Sequence, residues 1–197
     1  MNENINITAV IFAGGKSSRM GTDKALLPFN GFNTLVEFQH NRLSKIFNKV
    51  IISWKSEKVK FGAESILDKK KFSKISAPTI GLFSILENAE SDYTFIISVD
   101  TPFFGQDEIS QLMAEIHNNF DVICPITENG VEPLVAIYHK RVFKKIEYMI
   151  KARNYKLSLL LQHLDTRYVK IENKKAFTNL NYPTEYKRAI SDIEETN

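Results

Sequence analysis

The chain has 197 residues, of which 43% are hydrophobic and 25% are charged, with a formal net charge of +3 at pH 7. These values are ordinary for a folded globular protein and exclude a disordered chain, and we expect one domain over residues 1–197. The densest basic run, Lys69–Lys71, has no interleaved aromatic residues, which argues against nucleic-acid binding. No apolar run approaches the ~18 residues of a membrane helix, so we expect no membrane insertion.

The cysteine content and the N-terminus indicate the cellular compartment. The single cysteine, Cys124, lies in an apolar stretch and cannot form an intrachain disulfide, so we expect a buried thiol. The N-terminal residues lack the basic region of a secretory signal, and the apolar run after them is too short for one. The chain is therefore predicted to be cytoplasmic.

The first element is the apolar run Ile5–Phe12, which indicates a buried strand. The glycine-rich loop after it, GGKSSRMG, carries Lys16 and Arg19, and Lys24 follows shortly afterwards. Glycines let backbone N–H groups approach phosphate oxygens, and the cations offset their charge. The loop matches neither GxxxxGK[ST] nor GxGxxG, so we predict a phosphate-binding loop of another kind.

After the loop, predicted strands and helices alternate along the chain. Extended segments are predicted at 25–29, 49–54, 65–67, 93–99, 120–125, 134–138 and 167–171. Helices are predicted after Thr34 and at 55–61, 79–89, 108–117, 141–151, 156–164 and 183–193. Thr34 and Glu37 have capping-box spacing, Asp107 is expected to cap its helix, and Asn30-Gly31 is a turn signal. The continuous apolar strands predict a three-layer α/β, Rossmann-like fold with a mostly parallel (mixed) sheet.

Polar or small residues mark the ends of the first four strands: Gly14, Ser53, Asp68 and Asp100. Ligands of such sheets bind at the carboxyl ends of the strands. Asp100, followed by Thr-Pro, is placed to hold Mg²⁺, although a strand-end aspartate can also cap a turn. Asp68 would contact a ribose or a base edge, or only start the next loop.

The chain offers no covalent nucleophile motif and no histidine spacing suited to zinc. This combination favours direct, in-line transfer from a Mg²⁺-bound nucleoside triphosphate, which depends on positioning and charge neutralisation. Arg19 and Lys24 would offset phosphate charge, and Asp100 would hold the metal.

Five ordered segments resemble one known family, the molybdenum cofactor guanylyltransferases (the MobA proteins). The segments are FAGGKSSRMGTDKALL, APTIGLFSIL, ISVDTPFF, GVEPLVAIYHK and FTNLNYPTEY. The resemblance implies a nucleotidyltransferase that moves GMP from Mg-GTP to the terminal phosphate of molybdopterin and releases pyrophosphate. It further implies cofactor-insertion proteins and molybdoenzyme chaperones as partners.

The resemblance also implies roles for individual residues. Asp100 would bind Mg²⁺ and nucleotide, and Asn179 and Asn181 would face the acceptor. The nucleotide-binding residues would be Phe12, Ala13, Gly14, Gly15, Lys24, Ser53, Asp68 and Asp100.

One departure from the family keeps alternatives open. Ser53 stands where the family usually has Asn, and a hydroxyl lacks the paired donor and acceptor that an amide offers to guanine. The alternatives are a cytidylyltransferase acting on the same pterin, a sugar-phosphate nucleotidyltransferase, or a non-catalytic module that binds nucleotide or cofactor. Turnover separates the enzymes from the binding module.

Overall fold

The structure is a computed structural model that describes residues 6–14, 21–56, 58–59, 61–69, 72 and 75–194. Eight strands are assigned there: β1 (Ile7–Phe12), β2 (Val50–Trp54), β3 (Glu64–Leu67), β4 (Tyr93–Ser98), β5 (Val122–Thr127), β6 (Gly130–Val131), β7 (Val135–His139) and β8 (Thr166–Lys170). The α-helices are α1 (Leu35–Leu43), α2 (Pro78–Glu87), α3 (Gln106–Met113), α4 (Phe143–Lys151), α5 (Leu157–Gln162) and α6 (Pro183–Glu194). None of the helices in these ranges is long and apolar enough to cross a membrane.

The strands form one mixed sheet in the order β3-β2-β1-β4-β7-β5-β6, with β8 beside β5. Strands β3, β2, β1 and β4 are parallel, so their carboxyl ends share one edge. Strand β7 runs antiparallel to β4 and therefore begins at the edge where β4 ends. That edge collects residues from the carboxyl ends of four strands and from the start of β7.

Helices cover both faces of the sheet, as predicted. Alternate side chains of the central strands pack against α1, α3 and α6 on one face and against α2, α4 and α5 on the other. Strand β1 is buried along its whole length, which explains why its sequence is apolar except for Thr8. The three-layer, mixed α/β architecture predicted from the sequence is confirmed.

Three local predictions are wrong. Ala25 lies in a 3₁₀ turn, Lys24–Leu26, rather than in an extended segment, because the Asp23 side chain accepts a hydrogen bond from the Ala25 N–H and caps the turn. The described residues of 55–61 form bends and no helix. Asp107 does not cap α3, which begins at Gln106. Instead the Gly105 N–H donates to the Glu108 carboxylate at 2.9 Å, so the acidic residue three positions on satisfies the helix start.

Several other local predictions are confirmed. The Thr34–Glu37 capping box starts α1, and Asn30 and Gly31 form a turn with positive φ angles of 48° and 79°. Cys124 is fully buried, and burial raises the pKa of its thiol to about 12. The thiol therefore stays protonated and packs as a small apolar group.

Candidate functional site

The ends of the first four strands meet at the carboxyl edge of the sheet. Backbone hydrogen bonds continue past the strands: the Ala13 N–H donates to the Ser53 carbonyl at 2.9 Å, and the Asp68 N–H donates to the Trp54 carbonyl at 2.9 Å. The Val99 N–H donates to the Phe12 carbonyl at 3.0 Å. The structure thus brings the strand-end residues named in the sequence to one place.

A lysine joins two distant parts of the chain at this edge. The Lys24 ammonium donates to Asp100 Oδ2 at 2.8 Å and to Asn181 Oδ1 at 2.6 Å. The side chains of Lys24 and Asp100 are only 13% and 19% exposed, so their attraction is less screened than that of a surface pair. The Asp23 cap holds the turn from which Lys24 projects.

Asp100 is also fixed by its own neighbours. Ser98 Oγ donates to Asp100 Oδ1 at 2.5 Å, and the Leu180 N–H donates to the Asp100 carbonyl at 2.9 Å. Thr101 Oγ1 donates to Asn179 Oδ1 at 2.7 Å. The loop that carries Asn179 and Asn181 is therefore bonded directly to the turn that carries Asp100.

The first turn of α6 fixes the other side of that loop. The Glu185 carboxylate accepts hydrogen bonds from the Asn181 N–H at 2.6 Å and from the Tyr182 N–H at 2.9 Å. These bonds satisfy backbone donors at the helix start and hold the peptide of Asn181 in place. The side-chain oxygen of Asn181 is thereby left to meet Lys24.

Two polar residues of α1 support the Asp100 turn from below, and sequence reasoning missed both. Gln39 is fully buried, and its Nε2 donates to the Val99 carbonyl at 3.2 Å. Arg42 donates from Nε to Gln39 Oε1 at 2.6 Å and from a terminal nitrogen to the Phe104 carbonyl at 2.7 Å. Burial lowers the pKa of Arg42 to about 10, and Glu108 partly offsets this. The sequence signal that could have identified Gln39 is a glutamine within the buried, apolar stripe of an amphipathic helix.

Asp68 has a different environment. Its side chain is half-buried, and its Oδ1 has no hydrogen-bond partner in the part of the chain that the structure describes. Burial raises the pKa of Asp68, against smaller lowering effects of Ser84 and Lys55. A buried acceptor without a donor is costly, so this oxygen is suited to a ligand that brings an N–H group.

Helix α2 packs tightly against the end of β1, and one glycine permits it. A Cβ built on Gly81 would lie 2.1 Å from Cε2 of the Phe12 ring, which no substitution could relieve without moving one of the two elements. Ser53 is 1% exposed and adjoins Phe12 in the sheet register. Both side chains therefore lie beneath the site surface, while Ala13 and Gly14 leave the strand at its end.

Three of the predicted site residues are not described by the structure, and the described residues offer few ligands for a metal. Gly15, Lys16 and Arg19 lie outside the described residues. Within the described ranges, no group of three or more His, Cys, Asp and Glu side chains is arranged to hold a metal. The oxygens of Asp100 and Asn181 already flank one cation, the Lys24 ammonium, and oxygen ligands of this kind suit Mg²⁺ completed by phosphate and water.

Two sizeable cavities differ in whether predicted site residues line them. The larger, about 940 Å³, lies between residues 28–33 and α6 and contains none of the predicted site residues. The second, about 650 Å³, is lined in part by Glu132 and Asn179, next to the Asp100 turn. Of these two cavities, the smaller one adjoins the Asp100 turn.

Comparison with known proteins identifies the family of the chain. The profile of the family described as "MobA-like NTP transferase domain" matches residues 9–167. The molybdenum cofactor guanylyltransferase of Campylobacter jejuni subsp. doylei is 34% identical over 187 residues, covering 95% of this chain and 97% of that protein. The enzyme of the same name from Helicobacter pylori (strain G27) is 31% identical over 195 residues, covering 96% of this chain and 94% of that protein.

A solved structure shows the same fold. The Archaeoglobus fulgidus molybdopterin-guanine dinucleotide biosynthesis protein A superposes with a TM-score of 0.81 at 22% identity, covering 95% of this chain and 99% of that one. The fold is thus shared with a protein of distant sequence. Together with the family match over most of its length, this shows that the chain belongs to the MobA-like NTP transferase domain family.

Proposed function

We propose that this protein is a molybdenum cofactor guanylyltransferase, which transfers GMP from Mg-GTP to the terminal phosphate of molybdopterin and releases pyrophosphate. The observation that carries the proposal is the Lys24 ammonium held between Asp100 and Asn181 at the carboxyl edge of the sheet. It is supported by relatives of that name at 31–34% identity over nearly the whole chain. We propose that residues 1–197 act as a single nucleotidyltransferase domain.

The parallel half of the sheet would hold the nucleotide. The backbone of Phe12, Ala13, Gly14 and Gly15 would contact the phosphates and sugar, where small residues leave room for close approach. Asp68 would accept hydrogen bonds from the N1–H and 2-amino group of guanine with its carboxylate, whose Oδ1 has no partner among the described residues. Cytosine lacks that pair of adjacent donors, so Asp68 favours GTP over CTP. Ser53 would support this region from beneath.

The reaction needs few protein groups. An oxygen of the acceptor phosphate bonds to the α-phosphorus of GTP, and the bond from that phosphorus to the bridging oxygen breaks, so pyrophosphate leaves with the electron pair. Lys24 and Arg19 would neutralise the phosphate charge that develops on the leaving group. Asp100 and Asn181 would supply oxygens for Mg²⁺, which when bound would screen the phosphate oxygens. The acceptor phosphate is a strong enough nucleophile as an anion, so no general base is required.

The test is nucleotide-dependent turnover. Purified protein is incubated with molybdopterin and Mg-GTP, Mg-CTP or Mg-ATP, and pyrophosphate release is measured beside a mass determination of the pterin product. We expect release with GTP and a product heavier by one GMP. Faster pyrophosphate release with CTP would make the protein a cytidylyltransferase. Nucleotide binding without pyrophosphate release from any triphosphate would favour the non-catalytic binding module.

A further inference from the structure

One tyrosine joins the last helix to the segment that carries Lys24. The Tyr186 hydroxyl, near the start of α6, donates a hydrogen bond to the Pro28 carbonyl, 158 positions away in the chain. Burial raises the pKa of Tyr186, so the hydroxyl stays protonated and able to donate near neutral pH. Between Lys24 and Pro28, the Leu27 N–H donates to the Lys24 carbonyl at 3.1 Å. Helix α6 is therefore bonded to the backbone of the segment from which Lys24 projects.

The segment that contains Lys24 and Pro28 is fixed at successive points. Ala25, next to Lys24 in the 3₁₀ turn, is fully buried. Directly after Pro28, the Phe29 side chain is 1% exposed, and the backbone of Phe29 exchanges hydrogen bonds of 3.1 and 2.9 Å with that of Phe32. Because no flexible linker separates Pro28 from Lys24, a displacement of the Pro28 carbonyl would also displace Lys24.

The ring of Tyr186 is held by aromatic packing, independently of its hydroxyl. Its centroid lies 6.5 Å from that of the buried Phe29 ring. The Phe29 ring in turn lies 5.0 Å from Phe38 of α1 and 6.2 Å from Phe103 in the loop after β4. The substitution Tyr186→Phe would therefore keep this packing and remove only the hydrogen bond.

Helix α6 also holds the partner of the Lys24 ammonium. Glu185, beside Tyr186, accepts a hydrogen bond from the Asn181 N–H at 2.6 Å. Asn181 Oδ1 accepts from the Lys24 ammonium at 2.6 Å, and Asp100 Oδ2 accepts from it at 2.8 Å. Two adjacent residues of one helix thus fix the backbone of the Lys24 segment and the asparagine that its ammonium must reach.

We propose that Tyr186 is a positioning residue for Lys24. Its hydrogen bond to Pro28, together with the contact of Glu185 to Asn181, places the Lys24 ammonium at the carboxyl edge of the sheet, where the nucleotide phosphates would bind. The inference rests on the proposed function, since it takes those phosphates as the group that Lys24 meets. Tyr186 touches no reacting atom and acts only through the segment that carries the lysine.

The test is a double-mutant cycle on GTP affinity, measured by calorimetry in the presence of Mg²⁺ with wild type, Tyr186→Phe, Lys24→Met and the double variant. Tyr186→Phe should weaken GTP binding about twofold to tenfold, which corresponds to the net contribution of one hydrogen bond. In the Lys24→Met background the same substitution should have no effect, because the ammonium that Tyr186 positions is already absent. A residue that only stabilises the fold would give the same loss in both backgrounds.

Tyr148→Phe is the matched control, because Tyr148 is 68% exposed on α4 and the substitution removes the same hydroxyl group. It should leave GTP affinity unchanged with and without Lys24. The thermal midpoint of Tyr186→Phe should stay within a few degrees of wild type, since only one hydrogen bond is lost.

The outcomes separate the positioning role from the proposed function. Unchanged GTP affinity in Tyr186→Phe, or an equal loss with and without Lys24, overturns the positioning role, while pyrophosphate release by wild type leaves the proposed function standing. Coupling between the two positions without pyrophosphate release by wild type supports the positioning role and contradicts the proposed reaction. A wild-type protein that binds no GTP contradicts both.

Discussion

Asp100 and Asp68 follow strands β4 and β3 at the same edge of the sheet, with β1 and β2 between them, and the surroundings of the two carboxylates are opposite. Asp100 is held by the Lys24 ammonium and the Ser98 hydroxyl, and its turn is bonded to the loop before α6. Asp68 is half-buried with one oxygen that no described residue satisfies. The first carboxylate is positioned by contacts within the protein, whereas the second has one oxygen that these contacts leave unsatisfied. From this difference we predict that Asp100 would serve the chemical step and that Asp68 would serve recognition of the nucleotide.

The largest effect is expected from Asp100→Asn, which keeps the shape and removes the charge. Turnover should fall by about 10³-fold, because the charge that would hold the metal and position Lys24 is lost. The thermal midpoint, measured by circular dichroism, should change by only a few degrees. Retained pyrophosphate release in this variant would remove Asp100 from the reaction.

Lys24→Met probes the cation between Asp100 and Asn181. GTP affinity, measured by calorimetry, should fall by about tenfold to a hundredfold because a charge-assisted contact to phosphate is lost. The affinity for Mn²⁺ without nucleotide should rise, because the competing ammonium has been removed from the two oxygens. Lys58→Met, which removes the partner of Asp23 and leaves Lys24 in place, is the control. Weaker Mn²⁺ binding in Lys24→Met would show that the lysine does not compete with the metal.

Asp68→Asn should separate recognition from folding. GTP affinity should fall by about tenfold to a hundredfold and the preference for GTP over CTP should narrow, since the amide presents one acceptor in place of two. Asp92→Asn on the surface is the control. Undiminished selectivity would place guanine recognition elsewhere.

The same variant has a predicted pH signature. Burial raises the pKa of Asp68 in the folded state above its unfolded value. Its favourable contribution to the free energy of unfolding is then complete below the unfolded pKa and is lost as the pH rises through the folded pKa. In denaturant titrations across this acidic range, the free energy of unfolding of wild type should contain a decline with rising pH that is absent from Asp68→Asn. An identical pH dependence in both proteins would contradict it.

The smallest effect on activity is expected from Gln39→Leu. The change removes the donor to the Val99 carbonyl and the acceptor for Arg42, so the Asp100 turn loosens. Turnover should fall about tenfold with GTP affinity nearly unchanged, and stability should drop by about 1–3 kcal/mol. Gln111→Leu, on the exposed face of α3, is the control. A proportional loss of GTP affinity would indicate general unfolding instead of a positional effect.

Much of the fold was predictable because its signals are local. Apolar runs predicted the strands, and the spacing of Thr34 and Glu37 predicted the start of α1. The positions of Asp68 and Asp100 after strands predicted that both would lie at the carboxyl edge, because parallel strands end together. These inferences need only the pattern of the chain and the geometry of parallel sheets.

The rest depends on contacts between distant residues. Lys24 and Asn181 are 157 positions apart, so no local pattern joins them. The antiparallel direction of β7, which makes that strand begin at the edge where β4 ends, cannot be inferred from an apolar run that is compatible with either direction. Gln39 is missed because its partners are backbone carbonyls at the end of β4, which carry no sequence signal. The prediction that Asp107 caps α3 was wrong because Asp107 and Glu108 both fit a helix start, and only the fold determines which of them accepts the hydrogen bond.

The most direct test of the contrast between the two carboxylates is the kcat and KM of Asp100→Asn and Asp68→Asn, measured side by side with GTP and CTP in the pyrophosphate assay. We predict that Asp100→Asn loses kcat with both nucleotides, while Asp68→Asn mainly raises the KM for GTP and narrows the GTP-to-CTP ratio. If both variants lose kcat equally and keep the same nucleotide ratio, the division between chemistry at Asp100 and recognition at Asp68 is contradicted.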